Sequence, residues 1–273
     1  MSRPTFLTAY RWELRKLRSQ KRTYLGLGAA TVVPLIFVTA LRLQNGSPND
    51  VQFGRYVRES GLAIPLVLLL FGSIWLFPLI TALVAGDIVA SEDHNGTLKT
   101  ILTRSLDRGE VFAGKALAAA TYALLAIVLM GTVAVIAGSL QSGFNPLVDL
   151  SGQLVPARHA LLLVVASFAV YMLPILALVA IGLLLSTVTR NSAAAVVGTL
   201  MFALLMQLIS ILPGLGGTTP YLLSTQLQAW QGFFRVPTDW EPIVRGLWVS
   251  AAYGLPALAT AYLVFLRRDV TGG

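Results

Sequence analysis

Six long apolar stretches constrain this chain more than any other feature: Thr23–Leu41, Leu62–Gly86, Phe112–Leu140, Leu161–Leu185, Ala193–Leu212 and Ile243–Leu266. A bilayer core about 30 Å thick is crossed by roughly 20 helical residues. Backbone in hydrocarbon must satisfy its own hydrogen bonds, so each stretch is expected to form a spanning helix. No stretch carries a charge near its centre, and Arg245 stands only near the start of the last. Pro34, Pro65, Pro78, Pro174 and Pro256 fall inside the spans, where neighbouring groups can satisfy the carbonyls they release. The fold class is therefore an all-α membrane protein with six transmembrane helices. Charged residues make up 12% of the chain, against about 25% in ordinary soluble domains. That leaves too little polar surface for a separate soluble domain, so residues 1–273 read as one transmembrane unit.

Basic residues set the orientation. Arg3, Arg11, Arg15, Lys16, Arg18, Lys21 and Arg22 precede the first span; Lys99, Arg104, Arg108 and Lys115 follow the second; Arg190 follows the fourth; Arg267 and Arg268 follow the sixth. The opposite side receives only Arg42, Arg55, Arg58, Arg158, Arg235 and Arg245. The positive-inside rule then places both termini in the cytoplasm, as an even number of spans requires. It also accounts for the net charge of +8 without nucleic acid. Val38-Thr39-Ala40 resembles a signal-peptidase site, but the basic region and the apolar run are both longer than a signal peptide's. The first span is expected to belong to the mature protein.

Residues 1–22 are expected to carry an amphipathic interface helix over Pro4–Arg22. Phe6, Leu7, Tyr10, Leu14 and Leu17 follow helical spacing. Arg11, Arg15, Arg18 and Arg22 form a second stripe, suited to lipid phosphates or an acidic partner, or simply anchoring the N-terminus inside. Residues 87–111 form a cytoplasmic loop that opens with Asp87, Glu92 and Asp93, turns at Asn95-Gly96, and continues as a short amphipathic helix. In it Leu98, Ile101, Leu102 and Leu106 share a face, with Lys99, Arg104 and Arg108 outside it. Such a face is either a docking surface or a patch lying on lipid.

Gly109 to Ala116 imitates a phosphate-binding loop, but Ala116 stands where a Ser/Thr must hold magnesium, and no strand precedes it. No Gly-x-Ser-x-Gly elbow or His-Glu-x-x-His pair appears. The absence of cysteine excludes disulfides and thiolate chemistry, and His94 and His159 lie far apart. The carboxylates near Asp87 read as an ion-pair network rather than an acid/base site. The chain is not expected to be an enzyme, to bind metal or to hold a cofactor of its own.

The 87–111 loop resembles that of ABC-2 type permeases, the membrane subunits of ATP-binding-cassette exporters. The family's glutamate, Gly-Thr-Leu, leucine pair, arginine and Gly-Lys correspond to Glu92, Gly96-Thr97-Leu98, Ile101-Leu102, Arg108 and Gly114-Lys115. Ser105 replaces a common proline, and Phe265-Leu-Arg-Arg-Asp269 is similar to a common ending. The resemblance implies a homodimer that docks two separate ATPase subunits, which bind ATP and magnesium, through this loop and the N-terminal helix. Glu92, Gly96, Thr97, Leu98, Ile101, Leu102, Arg104 and Arg108 would couple the ATPase to the pathway. Arg11, Leu14, Arg15 and Arg18 would belong to the interface helix. Residues 213–242, with Tyr221, Trp230, Phe233, Phe234 and Trp240, would form short helices re-entering the outer leaflet of a bacterial-type plasma membrane. Gln207, polar within a span, would either line the pathway or hydrogen-bond a neighbouring helix.

An ATP-independent secondary carrier, an integral scaffold and a membrane-embedded enzyme are the alternatives. Carriers usually bury ionisable groups at mid-membrane, and these span centres have none.

Overall fold

A computed structural model of the chain describes residues 6–44, 46–94, 107–212, 214 and 216–267. The described chain is nearly all helix. Helix α1 is Phe6–Ser19, α2 Lys21–Leu43, α3 Ala63–Ile74, α4 Leu76–Ala85, α5 Ala90–His94, α6 Arg108–Ser142, α7 Ala157–Thr189, α8 Ser192–Ser210, α9 Leu223–Gln226 and α10 Trp240–Leu266. A two-residue antiparallel pair, β1 (Leu147–Val148) with β2 (Leu154–Val155), joins α6 to α7.

Helices α2, α6, α7, α8 and α10 are each long and apolar enough to cross a membrane. At 1.5 Å per residue the 35 residues of α6 reach about 50 Å, well beyond a bilayer core. The remaining apolar stretch is not the continuous helix expected over Leu62–Gly86. It breaks at Trp75, and its two halves, Ala63–Ile74 and Leu76–Glu92, are bent by 56°. The cause is Pro78, which cannot donate to the carbonyl of Ile74 and whose ring crowds it. Ser73 adds to the disturbance by donating its hydroxyl to Leu69 O at 2.6 Å.

Helix α7 is the centre of the bundle, with about two thirds of its most apolar stretch buried. It packs against α10, α8, α4 and α6. Small residues let backbones approach: a methyl built on Gly61 would lie 2.2 Å from Gly138 O, and one on Gly254 would lie 3.1 Å from the Ala177 Cα. Helix α8 lies at the edge, its apolar stretch almost wholly unburied.

The helix expected over Pro4–Arg22 is interrupted at Gln20, whose backbone is extended. Lys21 and Arg22 therefore open α2, while α1 turns to pack on α6. Its buried face is Ala9, Glu13 and Leu17; Phe6, Leu7 and Trp12 are exposed.

At the end of the bundle carrying the β1–β2 hairpin, residues 46–62 and 216–239 fold inward. Short 3-10 turns at Thr219–Tyr221 and Ala229–Phe234 flank α9. The aromatics of this region divide. Tyr221 and Trp240 are exposed, but Trp230 and Phe234 are buried against Phe53 at ring separations of 6.2 and 5.0 Å. These two rings are core side chains, because their segment packs onto α7 and α10 instead of lying flat.

Candidate functional site

The site is built where α1 crosses the beginning of α6. Residues 9, 13 and 17 of α1 are spaced by four and share one face. That face meets α6 at Gly114, where an added methyl would come within 2.7 Å of the Ala9 Cβ and 2.8 Å of the Tyr10 nitrogen. The glycine brings the backbones together, and the next side chain, Lys115, enters the junction fully buried. Farther along, Tyr10 Oη and Thr121 Oγ1 hydrogen-bond at 3.0 Å.

Lys115 Nζ meets Glu13 Oε1 at 2.7 Å, Glu92 Oε2 at 2.5 Å and the carbonyl of Ile88 at 3.2 Å. An ammonium has three N–H donors, and three acceptors surround it. Lys16 pairs with the other oxygen of Glu92. Glu13 and Lys16 from α1, Glu92 from α5 and Lys115 from α6 thus form an alternating, charge-balanced chain. Removing one member of a buried set like this leaves an uncompensated charge, at a cost of about 3–5 kcal/mol.

A second pair braces the same turn. Arg22, at the start of α2, bonds Asp87, which also accepts from the Ser192 hydroxyl at the start of α8. Ser186 of α7 accepts from the backbone N–H groups of Val89 and Ala90 at 3.2 and 3.0 Å. Residues 87–92 are therefore held by α1, α2, α6, α7 and α8. This is the ion-pair network expected of Asp87 and Glu92.

The far side of the loop is fixed as well. Asp107 and Glu110 form a capping box at the head of α6. Arg108 donates to the carbonyl of Leu266 at 3.0 Å, binding the head of α6 to the end of α10. The helix thus begins at Arg108, inside the expected 87–111 loop. Gly96, Thr97, Leu98, Ile101, Leu102 and Arg104 lie outside the described residues, as does Leu106.

Of the other expected positions, Arg11, Arg15 and Arg18 are exposed and Leu14 is half-buried. Gln207 lines a cavity of about 20 Å³ with Ser73, Pro78, Pro174 and Ser224, room for one water. Gly109 to Ala116 is helical, with Lys115 occupied by carboxylates, so its backbone forms no phosphate cradle. Among the described residues no three metal-binding side chains gather.

Sequence reading missed Glu13. Its signal was present: it is the sole carboxylate before Asp50, in a segment otherwise strongly basic. Lys115 was counted for orientation, yet it stands inside an apolar run, Val-Phe-Ala-Gly-Lys-Ala-Leu-Ala, that required a partner.

Among curated proteins, none matches the chain. A family model described as "Protein of unknown function (DUF2705)" matches residues 29–227, from within α2 to just past α9. As that match covers well over half of the sequence, the chain belongs to the DUF2705 family.

Proposed function

We propose that this chain is the membrane-spanning permease subunit of an ATP-binding-cassette exporter. It crosses a bacterial-type plasma membrane six times, the bent α3–α4 pair counting as one span, with both termini and α1 on the cytoplasmic side. Two copies form the pathway, and each engages a separate ATPase that binds ATP and magnesium. The cargo is hydrophobic or amphipathic, in keeping with span centres that carry no charge.

The observation that carries this reading is the clamp around residues 87–92. A loop that only joins two spans needs no fixed entrance. Here Lys115, Lys16 and Arg22 hold Glu92 and Asp87 against α1, α2 and α6, and Arg108 fixes the exit to α10. A push on residues 95–106 would reach α1, α2, α6, α7, α8 and α10 through directional contacts rather than being lost in a slack tether. That is the mechanical requirement of a coupling element.

Co-expression and co-purification with an ATP-binding-cassette ATPase, followed by a cargo-stimulated ATPase assay, tests the proposal. Leu98 and Leu102 are four residues apart, and Leu102→Asp would place a charge in an apolar docking face. The variant should insert normally and lose ATPase binding. Normal binding and transport by that variant, or a chain that purifies without any ATPase, would count for a carrier or scaffold.

A further inference from the structure

Helix α1 buries Ala9, Glu13 and Leu17 and leaves Phe6, Leu7 and Trp12 exposed. At about 100° per residue, Arg11, Arg15 and Arg18 fall within an arc of roughly 60° opposite the buried face, and all three are exposed. Glu13, the one carboxylate of α1, points the other way, to Lys115. Among the described residues no carboxylate pairs with Arg11, Arg15 or Arg18, so three guanidiniums stand side by side unneutralised.

Apolar side chains border this stripe. Leu7 and Leu14 occupy the arc next to Arg18, Leu7 exposed and Leu14 half-buried. After Gln20 the chain enters α2, where Tyr24 and Leu25 are exposed and the Tyr24 hydroxyl donates to Arg18 O at 2.7 Å. A basic stripe bordered by exposed hydrocarbon is the pattern of a helix lying in the headgroup layer.

Depth separates lipid from an acidic cytosolic protein as the occupant. The apolar run of α6 resumes at Ala116, directly after Lys115. Tyr10 Oη and Thr121 Oγ1 lie 3.0 Å apart, and the Tyr122 hydroxyl donates to Thr23 O at 3.4 Å. Thr121 and Tyr122 stand about 9–11 Å past Lys115 along α6, inside the apolar part of a helix long enough to cross a membrane. Helix α1 is thus moored from within its length and from just beyond its end to the edge of the hydrocarbon. A cytosolic protein covering Leu7 would have to enter the bilayer.

We propose that the outward face of α1 binds anionic phospholipid, with phosphates on Arg11, Arg15 and Arg18 and acyl chains against Leu7 and Leu14. This binding needs the bilayer of the proposed function but not its ATPase, so either can fail without the other. Full-length protein in mild detergent is titrated with phosphatidylglycerol and with phosphatidylcholine and read by native mass spectrometry. Wild type should prefer phosphatidylglycerol. Arg11→Gln, Arg15→Gln and Arg18→Gln should each weaken that binding about fivefold, the factor of one basic contact near a charged surface, and the triple variant should lose the preference. Arg158→Gln, at an exposed position beside the hairpin, should leave it unchanged, and excess inorganic phosphate should not displace the lipid. The chain has no cysteine, so Leu7→Cys takes a single spin label. In phosphatidylglycerol vesicles that label should be reached by oxygen and shielded from a water-soluble nickel chelate. Three results would overturn the proposal. A triple variant that keeps the preference, or an Arg158→Gln variant that loses as much, would mean that net charge rather than this stripe selects the lipid. Displacement by inorganic phosphate would make the stripe a free-anion site. A Leu7→Cys label open to the chelate would leave this face to an acidic cytosolic protein.

Discussion

At the α1 end of the bundle the helices are tied by charge: Lys115 sits among Glu13, Glu92 and a backbone carbonyl, with Arg22 and Asp87 alongside. At the hairpin end the equivalent position is filled by Phe53, Trp230 and Phe234, packed edge-to-face and stacked. Both clusters join segments outside the regular spans to the helices within. The difference lies in tolerance. Aromatic packing degrades gradually as atoms are removed, whereas a buried ion network is all-or-none, because each lost partner strands another charge. A directional, intolerant junction transmits displacement; a greasy one seals.

Lys115→Ala should produce the largest loss of stability, about 4–5 kcal/mol, since it leaves Glu13 and Glu92 facing each other without their shared cation. Thermal unfolding in detergent and the yield of monodisperse protein would read it. Glu13→Gln, Glu92→Gln and Lys115→Met combined should recover most of the loss, because the one charge then left without its carboxylate, Lys16, is partly open to solvent. If that triple variant folds well but no longer couples to an ATPase, the network matters for transmission more than for stability. If the triple variant is as unstable as Lys115→Ala, packing holds this end too, and the contrast between the ends fails.

The contrast also explains what the sequence disclosed. The long apolar helices were legible because hydropathy is set by the solvent rather than by neighbours, and five of the six apolar runs each fall on one continuous helix. Trp75 as a break was half legible: Pro78 was seen, but whether a proline kinks or splits a helix depends on the packing around it. Glu13 was missed because a face defined by Phe6, Leu7 and Tyr10 draws attention to apolar residues, while the buried face is rotated toward Ala9 and Glu13. The sequence places Trp230 in a segment expected to re-enter the outer leaflet, and no local pattern announces that its ring is buried against Phe53. Ion pairs between residues 13, 92 and 115 are long-range facts, invisible to any windowed reading.

At the hairpin end, Trp230→Ala should cost about 3–4 kcal/mol, measured by the same melts, through the cavity it opens beside Phe53 and Phe234. Trp230→Phe should cost only about 2 kcal/mol, because it removes fewer buried ring atoms than truncation to alanine. The indole N–H finds no acceptor among the described residues, so its loss forfeits no hydrogen bond. A graded series of this kind would match a cluster held by shape. An abrupt loss already at Trp230→Phe would show that a polar contact governs this end as well.

The smallest effect is expected at Arg245, the one charge that sequence reading placed inside the last apolar stretch. It meets Glu241 at 2.8 Å, one turn earlier on α10, and the Glu241 side chain is 80% exposed. A pair so open to solvent is worth about 0.3–0.5 kcal/mol, less in salt. Arg245→Ala should therefore shift the melting midpoint barely beyond error, and raising ionic strength should erase what remains. Lys115→Ala, buried and unscreened, should keep its full deficit at every salt concentration. Equal losses from the two variants would mean that charge in this protein acts the same way at both ends. In that case burial would not be what makes the α1 junction directional, and the clamp would lose its claim to transmit force.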